Sequence, residues 1–245
     1  MSQQAVIPLA VPRPGQPLIE MCNVVKAYKT AAGEFMALKN IDACIYPGEF
    51  VCIVGKSGAG KTTLINMITG IDSLSNGDVI VNGVNVHSMN EDQLALWRGL
   101  NLGVIYQSFE LMPMLTLLEN VMLPMDFCGL YRPRRSRERA TELLRMVELE
   151  DQIYKLPSTI SGGQQQRVAI ARALANDPPI IVADEPTGRL DSVTAETILD
   201  IFDRLVAQGK TIVMVTHDAT AAQRANRVLS ITDGRLTSEH GREGR

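Results

Sequence analysis

The sequence predicts an α/β fold: a parallel sheet covered by helices, preceded by an antiparallel β portion and interrupted by a helical insertion. Three observations predict it. Short, almost wholly apolar runs ("VCIVG", "IIVAD", "TIVMVT") alternate with helical stretches, the pattern of strands buried on both faces. The segment from about 111 to 175 is mostly helical in period, as in "RSRERATELLRMVEL", with apolar residues three and four apart and a charged opposite face. Ahead of these, "LIEMCNVVKAYK" and "MALKNIDACIY" partly alternate apolar and polar residues, which suits antiparallel strands with one face on a core.

In chain order, residues 1–17 read as a flexible lead-in. The run "AVIPLAVPRPGQP" is apolar, but no basic region precedes it and Pro8, Pro12, Pro14 and Pro17 break any helix. The folded domain is expected over 18–238. After the antiparallel pair, "PGEF" turns into the buried strand "VCIVG", which feeds a glycine-rich loop and a short helix ending at Gly70. "GDVIVNGVNV" returns to strand with glycine turns. After the helical insertion come "IIVADE", "SVTAETILDIFDRLVAQG", "TIVMVTHD", "ATAAQRANRV" and "LSITDGRL", strand and helix in turn, with a flexible tail expected over 239–245.

Composition narrows the function classes. With 245 residues and 45% hydrophobic content, the chain can bury one large core, or a core plus an insertion. A formal net charge of -3 argues against a nucleic-acid partner held by a basic surface. No apolar run approaches the roughly 20 residues that span a bilayer, so a soluble chain is expected. Cys22, Cys44, Cys52 and Cys128 form no metal-ligand spacing and read as small buried thiols in a reducing compartment. The arginine run "RPRRSRER" reads as a solvated helix start, with anionic lipid headgroups as the alternative partner. His87 and His240 have no chemical context.

Gly55, Lys56, Ser57, Gly58, Ala59, Gly60, Lys61 and Thr62 form a phosphate-binding loop between a predicted strand and a predicted helix, with Thr63 alongside. Glycines there let backbone N–H groups converge on phosphate oxygens, and the helix N-terminus adds its dipole. Lys61 can reach the β and γ phosphates, and the Thr62 hydroxyl can ligate magnesium. At the C-terminal end of "IIVADE", where ligands collect in parallel sheets, Asp184 is placed to hold magnesium through water and Glu185 to polarise an attacking water. Adjacent strand residues point to opposite faces, which would divide these two tasks. His217 ends another buried strand and can donate to a γ-phosphate or order the water.

With these parts in hand, "ISGGQQQR" at 160–167 resembles the signature motif of the ABC ATPases, usually LSGGQ, with Ile160 in place of leucine. The other motifs fall in the family's order. Gln107 in "VIYQSF" matches the Q-loop glutamine, "ADEPTGRLD" matches the Walker B strand and D-loop through Asp191, His217 matches the switch histidine, and Tyr28 resembles the aromatic that stacks on adenine. The resemblance runs from about Leu18 to Leu236. It implies a P-loop NTPase fold with a RecA-like core, an antiparallel β subdomain and a helical subdomain bearing the signature.

The resemblance further implies an ATPase using ATP and Mg2+, with Glu185, His217 and Lys61 catalytic and Thr62, Gln107 and Asp184 serving the metal. Ser161, Gly162, Gly163, Gln164 and Asp191 would contact nucleotide held by a second copy of the chain, head to tail. Partners would be that second copy and integral-membrane permease subunits, placing the chain on the cytoplasmic face of a membrane. "ENVMLP", the triple glutamine and "ADEPTGRLDS" are similar to the subgroup that serves lipoprotein release, macrolide and peptide export, and cell division. Arg189 stands where that subgroup usually has asparagine, adding a cation at the expected seam. A mechanical or signalling actuator of a membrane protein is the alternative reading. Repair proteins of the family carry a long coiled coil, and no sustained heptads occur here.

If the signature meets a partner's nucleotide, Ser161→Arg should preserve nucleotide binding and reduce ATPase activity. Unchanged turnover in that variant would place the motif away from the reacting seam.

Overall fold

The computed structural model describes residues 15–31 and 33–241. Most of the expected lead-in, 1–14, and the last four residues lie outside them.

Strands β1 (Ile19–Thr30) and β2 (Gly33–Ile45) pair antiparallel, with Ile19 opposite Ile45 and Tyr28 opposite Phe35. The buried strand β3 (Phe50–Val54) leads through the phosphate loop into helix α1 (Lys61–Thr69), which stops at Gly70 in a left-handed conformation. Strands β4 (Asn76–Val81) and β5 (Val84–Asn85) complete the first sheet, ordered β2-β1-β4-β5. Helix α2 (Glu91–Asn101), opened by an Asn90/Gln93 capping box, and strand β6 (Leu102–Ile105) follow.

The insertion holds α3 (Leu117–Phe127), α4 (Pro133–Met146) and α5 (Gly162–Ala173). Pro133 occupies the first turn of α4, where its missing N–H costs nothing, and the arginine run is the exposed start of that helix. The chain returns through β7 (Ile180–Asp184), α6 (Ser192–Ala207), β8 (Thr211–Thr216), α7 (Ala219–Arg224), β9 (Arg227–Thr232) and β10 (Arg235–Gly241). Residues 239–241, expected in a flexible tail, are instead the end of β10, paired with Leu229, Val228 and Arg227.

The second sheet has the order β10-β9-β3-β8-β7-β6, parallel throughout except for the β9–β10 hairpin. Its strands bury alternate residues in two cores. Cys52, Ile181, Ala183, Ile212 and Met214 face α3, α5 and α6, while Val51, Ile53, Ile180, Val182, Val213 and Val215 face α1 and the antiparallel sheet. This two-sided burial explains why these strands read as unbroken apolar runs. Every crossover helix then returns the chain so that the carboxyl ends of β3, β6, β7 and β8 lie along one edge.

Phe202 of α6 is fully buried and meets Phe50 edge to face, ring centroids 6.2 Å apart. Phe202→Ala should therefore cost about 3–5 kcal/mol, as large-to-small aromatic truncations do. Urea unfolding measures this, and a loss below about 1 kcal/mol would contradict the packing described.

Candidate functional site

The site is built at that carboxyl edge. Gly60 ends the phosphate loop with φ of +106°, and a Cβ there would lie 2.7 Å from the Ala37 carbonyl oxygen. Only glycine fits such a backbone at such a distance. Among the described residues no side chain caps α1, and no acidic residue occupies its first turn, so the helix N-terminus keeps its N–H groups for an outside acceptor. The Lys61 ammonium is folded back into the loop, donating to the Gly55 carbonyl at 2.9 Å and the Lys56 carbonyl at 3.2 Å.

Asp184 is the last residue of β7, whereas Glu185 lies beyond the strand with φ of +47°. Strand alternation therefore does not separate the two carboxylates; a left-handed residue does. That conformation costs about 1–3 kcal/mol for a residue with a Cβ. The Glu185 N–H, donating to Val215 O at 2.9 Å, holds it against β8. Burial is the main influence on Asp184 and pushes its carboxyl above the usual range, against a hydrogen bond from Thr62.

Glu185 links two other groups. One oxygen stands 3.8 Å from the Lys61 ammonium, and the other lies 2.9 Å from His217 Nδ1 while accepting the His217 N–H at 3.3 Å. The carboxylate is 12% exposed and the imidazole 66% exposed, so the acid is fixed and the base-like ring reaches outward. A carboxylate held beside an ammonium and an imidazole is positioned to accept a proton from water.

Tyr28, Ser57, Gly58, Gly60, Lys61, Thr62, Thr63, Gln107, Asp184, Glu185 and His217 all line one cavity of about 610 Å3. Gln107, which follows β6, already borders this cavity; its Nε2 lies 3.3 Å from where a Gly188 Cβ would stand. Phe35, directly across from Tyr28 in the hairpin, also lines the cavity and is 56% exposed. The register of the hairpin, with Thr30 opposite Gly33, is the signal that would have found it.

The signature residues do not line this cavity. Ser161 is the N-cap of α5, in a capping box with Gln164, and both Ser161 and Gly162 are exposed. The three glutamines differ in task. Gln164 closes the cap through its Oε1, Gln165 donates to the Pro157 and Ile160 carbonyls at 3.1 and 3.4 Å, and Gln166 is fully buried with neither amide atom hydrogen-bonded among the described residues. Asp191 caps α6 by accepting from the Thr194 N–H and hydroxyl at 3.0 and 2.7 Å. Gly163 packs on that cap, since a Cβ there would lie 2.6 Å from Thr194 Cγ2. Ile160 packs partly buried against the helical core, as leucine could. Arg189 is exposed, with no hydrogen bond or ion pair among the described residues.

One contributor carries no motif signal of its own. Phe109 and Glu110, just beyond Gln107, are adjacent left-handed residues with φ of +60° and +50°. Arg172 of α5 donates to both of their carbonyl oxygens, at 2.7 Å for Phe109, so the signature helix itself holds the turn that carries Gln107.

An uncapped helix start at the carboxyl edge of a parallel sheet, with paired carboxylates and a lysine, defines a nucleoside-triphosphate-binding protein of the phosphate-loop class. A family model described as ABC transporter matches residues 38–188. The chain is similar to MJ0796 of Methanocaldococcus jannaschii, an ABC transporter ATP-binding protein, at 44% identity over 93% of this chain and 98% of that one. It is 42% identical to the macrolide export ATP-binding/permease protein MacB of Pasteurella multocida, covering 92% of this chain but 35% of that protein. The solved dimer of the MJ0796 cassette in a post-hydrolysis state, bound to ADP and Pi, superposes with a TM-score of 0.87, 43% identity and cover of 93% and 100%. The chain belongs to the ABC transporter family, as an ATP-binding, ATP-hydrolysing domain of that family. No helix among the described residues is long and apolar enough to cross a membrane.

Removing the Arg172 clamp releases two strained residues beside Gln107, so Arg172→Met should lower kcat for ATP hydrolysis while changing nucleotide affinity less. Steady-state kinetics beside equilibrium nucleotide binding checks this; unchanged kcat would detach the turn from the reaction.

Proposed function

We propose that this chain binds Mg2+ and ATP, pairs head to tail with a second copy around two nucleotides, and drives a separate membrane permease that exports or extracts a lipophilic, peptide or lipoprotein substrate. One observation carries the proposal: Ser57, Gly58, Gly60, Lys61 and Thr62 of the phosphate loop, though not Gly55, Lys56 or Ala59, share with both carboxylates, Gln107 and His217 a cavity that the exposed signature cap does not enter. A second helix N-terminus with no phosphate of its own is explained by a phosphate on another molecule. The dimeric MJ0796 cassette and the fused permease of the MacB proteins support the assembly and the partner.

In this reading the loop from Gly55 to Thr63 cradles the triphosphate through its N–H groups, and Lys61 exchanges its two carbonyl partners for phosphate oxygens. Thr62 and Asp184 suit magnesium: both offer hard oxygens, they are hydrogen-bonded to one another, and a partly buried carboxyl pushed toward neutrality gains most from a cation. Gln107 would complete that set. When bound, the ion neutralises charge on the β and γ phosphates. Glu185 accepts the proton of the attacking water, with His217 holding its carboxylate at 2.9 Å and facing the γ-phosphate.

Ser161, Gly162, Gly163, Gln164 and Asp191 meet the partner's nucleotide at the seam. A helix N-terminus contributes roughly 0.3–1 kcal/mol when exposed and up to about 2 when partly buried. That is too little to hold ATP, yet two such contacts in a symmetric dimer bias its closure, and hydrolysis removes them.

Glu185→Gln should leave ATP binding intact, slow hydrolysis by at least about a hundredfold, the lower range for loss of a general base, and accumulate an ATP-bound dimer. Single-turnover hydrolysis and light scattering read the two effects; near-normal turnover would remove Glu185 from its role.

A further inference from the structure

The segment that leaves α1 is tied to β1 beneath Tyr28. After Gly70 the chain turns, and the Ser75 N–H donates to Val25 O at 2.9 Å while the Ala27 N–H donates to Ser75 Oγ at 2.9 Å. Within this clasp Asp72 Oδ1 accepts from the Lys26 ammonium and from the Ser73 N–H, each at 2.7 Å, and Asp72 Oδ2 accepts from the Tyr28 hydroxyl at 2.9 Å. Lys26, only 6% exposed, also donates to Ser73 O at 2.6 Å and stands 4.8 Å from the centroid of the Tyr28 ring.

These contacts leave the ring little freedom. Its hydroxyl is pinned by a carboxylate and one of its faces is covered by a cation, so a planar ligand can stack only on the other face. Burial opposes ionisation of Asp72, but the hydrogen bonds from Lys26, Tyr28 and the Ser73 N–H outweigh it and hold the carboxyl below its usual range. The brace therefore stays charged at neutral pH. The same carboxylate sits two residues past Gly70, the cap of the helix whose other end meets the phosphate loop.

We propose that Asp72 and Lys26 are positioning residues for the nucleobase, presetting the Tyr28 ring and tying its place to the helix that holds the triphosphate. This rests on the reading that Tyr28 stacks on adenine. An aromatic held in its binding rotamer loses less entropy when the base arrives, which is where a brace outside the ligand's reach acts on affinity.

The test compares ATP with inorganic tripolyphosphate, which has no base. Asp72→Ala should raise the Kd and KM for ATP about two- to tenfold, the range for one newly mobile side chain at a binding surface. The inhibition constant of tripolyphosphate should not change. Asp72→Asn, which keeps an oxygen for the Tyr28 hydroxyl, should recover part of the loss, and Asp72→Ala should add nothing to Tyr28→Ala. Equal weakening of ATP and tripolyphosphate would overturn the proposal, showing that Asp72 acts on α1 instead of the ring. Tyr28→Ala weakening ATP while Asp72→Ala does not would overturn the brace alone. ATP affinity unaltered in Tyr28→Ala would overturn the stacking reading and the brace with it.

Discussion

The structure depends on a parallel sheet buried on both faces. Because β3, β6, β7 and β8 all run the same way, their carboxyl ends deliver Gly55, Gln107, Asp184 and His217 to one edge, although these residues are far apart in sequence. No antiparallel arrangement of the same strands would gather them, since alternate strands would end at opposite edges. Apolar burial supplies the driving force, and the site's chemistry follows from the direction of the strands.

At that edge, strain and its compensation lie close together. Glu185, Phe109 and Glu110 each adopt a left-handed backbone that disfavours residues with a Cβ, and each is held by a specific group. Val215 O fixes the first and Arg172 the other two. The consequence is a carboxylate turned toward Lys61 and His217, and a glutamine bordering the cavity beside the phosphate loop. Relaxing either turn would move Glu185 or Gln107 without touching the loop from Gly55 to Thr62.

The sheets and the helices are also joined by partly exposed contacts around the site. Arg172 joins the signature helix to the turn after Gln107, and Gly163 lies against the cap of α6, which continues the chain from Glu185. On the opposite side of the site, Asp72 joins the phosphate-loop helix to the antiparallel sheet. The cavity beside the phosphate loop is thus bordered by elements tied to different neighbours. Arg189, between Glu185 and Asp191, is exposed and without an ion pair among the described residues.

The sequence by itself determined the α/β class, the phosphate loop and the order of the motifs, because these depend on local pattern: apolar runs, glycines and capping residues within a few positions of one another. It did not reveal α2 and β6, since α2 buries few apolar side chains and β6 has four residues, too short for a period to show. Nor could it distinguish the three glutamines, of which one caps, one ties a turn and one is buried with no partner among the described residues. Only the tertiary structure decided that Glu185 bonds His217, that residues 239–241 pair as strand, and that Tyr28 rests on Asp72 and Lys26. Those contacts join residues distant in the chain, and their partners are set by how the two sheets and the helices pack, which no local window contains.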